Sequence, residues 1–288
     1  MRRTAMIILL AVLAAGCGST RHATVTTSVK AKPQPARLHV GIVGPLSVAV
    51  PGVATEHGTL AQVSHNALVL ADASTVDVAR IAAFADAHPA THVALVGAST
   101  KGFHRSNLVG LVLRDQQAAR LAGVVAGFIA AEQGGTQARV AWVGPQERVL
   151  ASAYAGGVHE SLPTAAVLYA WSERIPARCK EAALGAIARG AAVVTAHGGL
   201  CADAVAVAAH QQNHIALSVS GFELPGIPAA ILVRDALGGV YHGGEDLVFG
   251  ATSGAIGIRL LDPRISMATA LRARAAAQEL ASGLPPSG

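Results

Sequence analysis

The sequence predicts an α/β fold of two Rossmann-like lobes, each a parallel sheet flanked by helices. Three observations lead there. Short runs rich in Val, Leu and Ala recur between stretches of helical periodicity, among them residues 67–71 (ALVLA), 92–97 (HVALVG) and 138–144 (ARVAWVG). Strands that alternate with helices require parallel pairing through right-handed crossovers. The chain of 288 residues is also long enough for roughly two domains of about 150 residues each.

Residues 107–131, NLVGLVLRDQQAARLAGVVAGFIAA, join the two halves. Leu108 to Leu113 form an apolar run too short for a helix, which fits a buried strand. Arg114-Asp115 interrupts it. Asp115 stands where a helix N-cap belongs, its carboxylate placed to accept free first-turn N–H groups. The following helix is predicted to bury Leu121, Val124, Val125, Phe128 and Ile129 on one stripe, with Gln117 and Arg120 off it. Ala118, Ala122 and Gly123 let it lie close to a sheet. The polar turn therefore falls at the carboxyl end of a strand, where open α/β sheets bind ligands.

The N-terminus reads as an export signal. Met1-Arg2-Arg3 is a basic n-region, and residues 5–15 are an apolar h-region, short of the ~20 residues a spanning helix needs. Leu13-Ala14-Ala15-Gly16-Cys17 resembles a bacterial lipobox, although its Leu stands four rather than three residues before the Cys. That resemblance implies removal of residues 1–16, lipidation of Cys17 and anchoring to the outer face of the cell membrane. The other reading is an ordinary secretory signal with an incidental Cys; both export the chain. Residues 17–37, rich in Thr, Lys and Pro, read as a flexible tether. Without Arg2 and Arg3 the formal net charge of +5 becomes +3. The remaining bases are scattered and no aromatics interleave them, so nucleic acid is not an expected partner.

The N-terminal lobe is expected over residues 38–114, opening with the strand LHVGIVG at 38–44. Ser74-Thr75-Val76-Asp77 matches a capping box for a helix that faces inward with Val78, Ile81, Ala82 and Ala85, and Pro89 stops it. The C-terminal lobe is expected over 115–222, with strands at 138–144, 165–171, 191–197 and 215–220 and helices at 149–160, 179–189 and 200–210. Residues 223–288 return. Pro225 and Pro228 mark a linker, 229–233 reads as a strand re-entering the first lobe, and 266–282 as an amphipathic helix with Met267, Leu271, Ala275 and Leu280 on its apolar side.

Three segments carry a family resemblance: LVGLVLRDQQAARLAGVVAGFIA, SERIPARCKEAALGAIARGAAVVTAHGGLCADAVAVAA and GGVYHGGEDLVFGATSGAIGI. They resemble the basic membrane lipoproteins, the purine-nucleoside-receptor-like proteins that deliver ligand to ABC transporters. The resemblance implies a type I periplasmic binding protein fold, a hinge near Arg114-Asp115 facing the cleft, a nucleoside-like ligand and an ABC permease as partner. The chain also departs from that pattern. GPLSVAVPGVATEHGTLAQ follows the first strand without the family's acid and aromatic, SVSGFELPG lacks its Asp, and Arg234 is the nearest base to the place of its Lys.

Nothing marks catalysis. None of the twelve histidines stands in an HxxEH spacing, and no Gly-x-Ser-x-Gly elbow, Walker A loop, GxGxxG fingerprint or CxxC is present. No metal or cofactor is expected, and the protein does not read as an enzyme. Holding a nucleoside calls for polar groups and aromatics at strand ends. The polar candidates are Asp72, Ser99 and Asp115. Trp171 and Phe222 are the candidate stacking rings, and Gly198 and Gly199 the candidate backbone donors. Each has a plainer alternative: a cap for Asp115, ordinary packing for the rings, a tight turn for the glycines. Cys179 and Cys201 each open a helix after adjacent strands, near one rim. An exported protein can join them; two small buried apolar residues is the alternative. Two functional readings stand. One is a lipid-anchored solute-binding protein of an ABC importer. The other is a surface or regulatory lipoprotein of the same fold, like the Med-type members of the family, with a degenerate site.

Overall fold

The computed structural model describes residues 38–258 and 262–283. The expected signal peptide, the lipidation site Cys17 and the tether lie outside the described residues. β1 (His39–Val43), β2 (Ala54–His57), β3 (Leu68–Asp72), β4 (His92–Val96) and β5 (Leu108–Leu113) alternate with short helix α1 (Leu60–Val63) and with α2 (Val78–Ala87). Helix α3 (Asp115–Gly134) leads into a second series: β6 (Arg139–Gly144), α4 (Arg148–Ser161), β7 (Ala166–Trp171), α5 (Pro176–Ala188), β8 (Ala191–Ala196), α6 (Gly199–Gln211) and β9 (Ile215–Ser218). The chain returns through α7 (Gly226–Leu237) to β10 (Asp246–Phe249), and α8 (Met267–Ser282) follows. One sheet has the order β10-β5-β4-β3-β1-β2 and the other β7-β6-β8-β9. Every strand pair in both is parallel, the architecture the alternation of strands and helices predicts.

Burial on both faces explains the apolar strands. Leu68, Val69, Leu70 and Ala71 of β3 are all inaccessible to solvent, as a parallel strand between two helical layers must be. In β6, Val140 and Trp142 face the core shared with α3 and α4, while Ala141 and Val143 face α5 and α6, the alternation of a pleated strand. Helix α3 is buried on most of its circumference because the second sheet, α4 and α8 all pack on it. Among the described residues no helix is long and apolar enough to cross a membrane.

The α3–α4 seam depends on glycine. A Cβ on Gly123 would overlap the Tyr154 carbonyl, and one on Gly157 would overlap the Arg120 carbonyl. The two backbones touch where other residues would hold them apart. Beside the seam, Trp142 packs on Tyr154 at 5.3 Å, and the Tyr154 hydroxyl accepts from Thr195 Oγ1 at 3.1 Å. On the opposite face a Cys179–Cys201 disulfide joins α5 to α6, with Cα atoms 5.5 Å apart. The strands before these helices, β7 and β8, are not neighbours; they flank β6.

Several local expectations are corrected. β2 and α1 were not foreseen within 44–66, where the sequence shows no clear period. The cap of α2 is Asp77 itself, which accepts from the Arg80 amide at 2.8 Å, so Ser74 does not begin a capping box. Asp115 is the first residue of α3 and Arg114 the cap position, with no side-chain cap bond. Residues 229–233 belong to α7, not to a strand. Ala229, Leu232 and Val233 are buried at helical spacing, and a five-residue apolar run cannot distinguish the two periods. On α8, Met267 and Leu271 are 73% and 57% exposed, and Ala275 is exposed too. Thr269 and Ala273 turn inward instead, because Glu132 of α3 accepts hydrogen bonds from Ser266 and Thr269.

The seam makes adjacent glycines behave oppositely. Gly157→Ala should destabilise the protein by about 1–3 kcal/mol through overpacking. Gly156→Ala, with nothing within 4 Å of the new methyl, should stabilise it by about 0.5–1 kcal/mol. Thermal denaturation of the two variants gives melting shifts of opposite sign.

Candidate functional site

The chain passes between the two sheets three times, and the three passages bond to one another. In the first, between β5 and α3, the Arg114 amide donates to the Phe249 carbonyl at 2.8 Å. In the second, between β9 and α7, Glu223 forms an antiparallel bridge with Ile256. On either side of it, the Leu224 amide donates to Ala255 and the Gly257 amide to the Phe222 carbonyl, both at 2.8 Å. The third follows β10, where the Ala251 amide donates to Gln117 Oε1 at 2.8 Å. Gly250 fits only as glycine, since a Cβ there would overlap Gln117 and crowd Arg114.

A charged group gathers at these passages and at the carboxyl ends of the second sheet. Asp115 opens α3, Glu147 stands at the cap position of α4 after β6, Arg174 follows β7, His197 follows β8, and Glu223 lies on the second passage. Glu147 receives both basic side chains: Arg174 pairs with one carboxylate oxygen and His197 Nδ1 lies 3.1 Å from the other. The His197 ring stacks near Trp142 at 6.1 Å. Burial raises the Asp115 carboxyl above its ordinary value; the Glu147 charge adds to this and His197 opposes it. Burial, with the Asp115 charge behind it, pushes Glu223 up to about 7. Neither Asp115 nor Glu223 forms an ion pair among the described residues.

The residues nominated from sequence scatter around this group. Asp115 belongs to it. Asp72 ends β3 and accepts from the Ser74 amide at 2.8 Å, holding the β3–α2 turn beside Gly44. Ser99 donates to Asp246 together with the Thr100 amide and hydroxyl. Burial alone would raise the Asp246 carboxyl, but these bonds hold it below its ordinary value. Ser99 thus fastens its loop to β10. Trp171 is 41% exposed and stacks on Tyr169 at 5.3 Å. Gly198 and Gly199 take positive φ and open α6, with Gly198 close to Ser220. Phe222 is only 3% exposed and packs in the main core. Sequence reasoning missed Glu147, Arg174, His197 and Glu223. Their one shared signal is position, each following a strand of the second series within a few residues.

Two further features bear on chemistry. The apolar segment after β1 turns inward: Leu46 is buried, Val48, Val50 and Val53 pack on the main core, and the Ser47 carbonyl lies against Gly226 at the start of α7. Among the described residues no group of His, Cys, Asp and Glu could hold a metal ion. The i,i+4 pairs His88/His92 and His210/His214 straddle helix ends rather than sharing a helix face.

The raised Glu223 carboxyl fixes a direction. Its ordinary value is 4.5 and its folded value about 7, so folding takes up a proton between them and stability falls as pH rises through that window. Glu223→Gln removes this effect. It should raise stability by about 1–3 kcal/mol near pH 8 and leave it unchanged near pH 4, as read from denaturation at both values.

No family model and no curated protein matches the chain. Solved structures do. An ABC transporter system solute-binding protein from Conexibacter woesei DSM 14684 is 17% identical, with a TM-score of 0.61, covering 87% of this chain and 98% of its own. A transcriptional activator of the comK gene from Bacillus halodurans is 13% identical, with a TM-score of 0.58, covering 86% and 100%. ABC transporter system solute-binding proteins from Aeropyrum pernix K1 are 15% identical, with a TM-score of 0.55, covering 85% and 92%. With two parallel sheets joined by three short passages, this chain has the two-lobed fold of the periplasmic binding proteins.

Proposed function

We propose that the protein is an exported, lipid-anchored solute-binding protein of an ABC importer, its lobes closing on a small nucleoside-like molecule and presenting it to a permease. The observation that carries this reading is the junction itself. Carboxyl ends of strands and three hydrogen-bonded passages meet at a polar group of Asp115, Glu147, Arg174, His197 and Glu223, the position where two-lobed folds take their ligands. Ligand contacts to both lobes would favour the closed arrangement. Acids outnumber bases in the group, and Glu147 occupies both Arg174 and His197. A neutral or cationic solute therefore suits it better than an anionic one. The exposed Trp171, stacked on Tyr169, offers a face for a planar base. Export and anchoring rest on the lipobox-like residues before Cys17.

The second reading keeps the fold and drops transport, making the protein a surface or regulatory lipoprotein. The inward-turned segment Leu46–Val50 favours it, because apolar side chains stand where the resembled family carries an acid and an aromatic. The likeness to an activator of comK is in keeping with it.

A thermal-shift screen with nucleosides, free bases, riboflavin and neutral sugars separates the two. A true ligand at about 100 times its dissociation constant adds roughly 2.7 kcal/mol, and Asp115→Asn should lessen that gain. A flat response to every compound at large excess supports the second reading. In the same host, Cys17→Ser should move the protein out of the membrane fraction; retention there would count against lipidation.

A further inference from the structure

Asp115 and Glu223 lie on different passages of the hinge. Asp115 begins α3 beyond the first, and Glu223 sits on the second, bridged through its backbone to Ile256 of the third. The charged groups around them come from every neighbouring element. The N-terminus of α3 brings Arg114, whose stem lies against Gly250. The start of α4 brings Glu147, the β7–α5 connection Arg174 and the β8–α6 connection His197, and these three pair among themselves. The turn at Val219–Gly221 and the third passage, 250–257, carry no titratable side chain. On α7 the charges Arg234 and Asp235 lie at the far end of the helix. Glu223 therefore faces the Asp115 charge without an ion pair, while Asp115 faces Glu147 and His197 without pairing with either.

Closing the lobes withdraws water from the hinge floor. An ionised carboxylate loses hydration there and a protonated one loses little. We infer that the hinge is proton-linked: closure draws a proton from solvent onto the Asp115–Glu223 pair, and opening returns it. By linkage, acid then favours the closed form and alkali the open one. Within the pair the proton rests chiefly on Glu223, whose affinity the Asp115 charge raises. The elevated value of Glu223, about 7, places the transition near neutral pH.

Small-angle X-ray scattering of the purified, ligand-free protein tests this between about pH 5 and pH 9. The radius of gyration should fall as pH is lowered, with a midpoint near 7. Glu223→Gln should be compact throughout, its transition lost. Asp115→Asn should move the midpoint to lower pH by about one unit, because the repelling charge is gone. His197→Gln, which removes the imidazole paired with Glu147, should keep the transition. A radius that does not change with pH overturns the proposal. So does a transition that survives Glu223→Gln and vanishes with His197→Gln. Should Glu223→Gln fail to fold, the Asp115→Asn midpoint decides the question. No solute is present, so the result is independent of whether the cleft binds one.

Discussion

The constraint on which the structure depends is that three backbone passages between two sheets must satisfy their polar groups without the help of either sheet. A buried amide or carbonyl left unpaired costs about as much as a lost hydrogen bond. The passages solve this by bonding to each other: Arg114 to Phe249, Leu224 to Ala255, Gly257 to Phe222, and the Gln117 side chain to Ala251. The hinge is thus a small ribbon of its own. The glycine seam of α3 and α4 makes the second layer stiff next to the ribbon.

The same ribbon explains the unusual chemistry beside it. Helix starts and strand ends converge on the junction, bringing side chains that have no partner within their own layer. Glu147 finds two, Arg174 and His197. Asp115 and Glu223 form no ion pair and are held at elevated proton affinity by burial, to which the Glu147 charge adds at Asp115 and the Asp115 charge at Glu223. Structural networks in cores pair their charges. Here the two acids stay without an ion pair among the described residues.

Much of the architecture could be read from the residues. Every parallel strand from β3 to β9 announced itself as a short run of Val, Leu, Ala or Ile, and α3 was visible from its small and apolar residues. The misses have physical causes. β2 is an exposed edge strand (ATEH) with no apolar face to reveal it. In α7 the run AAILV satisfies both periods, and packing against the first sheet chose the helical one. In α8 the larger apolar side chains lost to Thr269 and Ala273, because small residues allow close approach and Glu132 rewards Thr269. The site was less legible. Asp115 was visible from its strand-end position, but Glu147, His197 and Glu223 become neighbours only through tertiary folding, and Phe222 was claimed by the core.

The Cys179–Cys201 link, separated by 22 positions in the chain, encircles the whole of β8. That strand lies between β6 and β9 in the sheet. Thiols stay reduced in the cytosol and join in oxidising compartments. Closing a loop of this length contributes about 3 kcal/mol. The same polypeptide is accordingly looser while it remains in a reducing environment and gains a latch only afterwards, so its firmness depends on where it is.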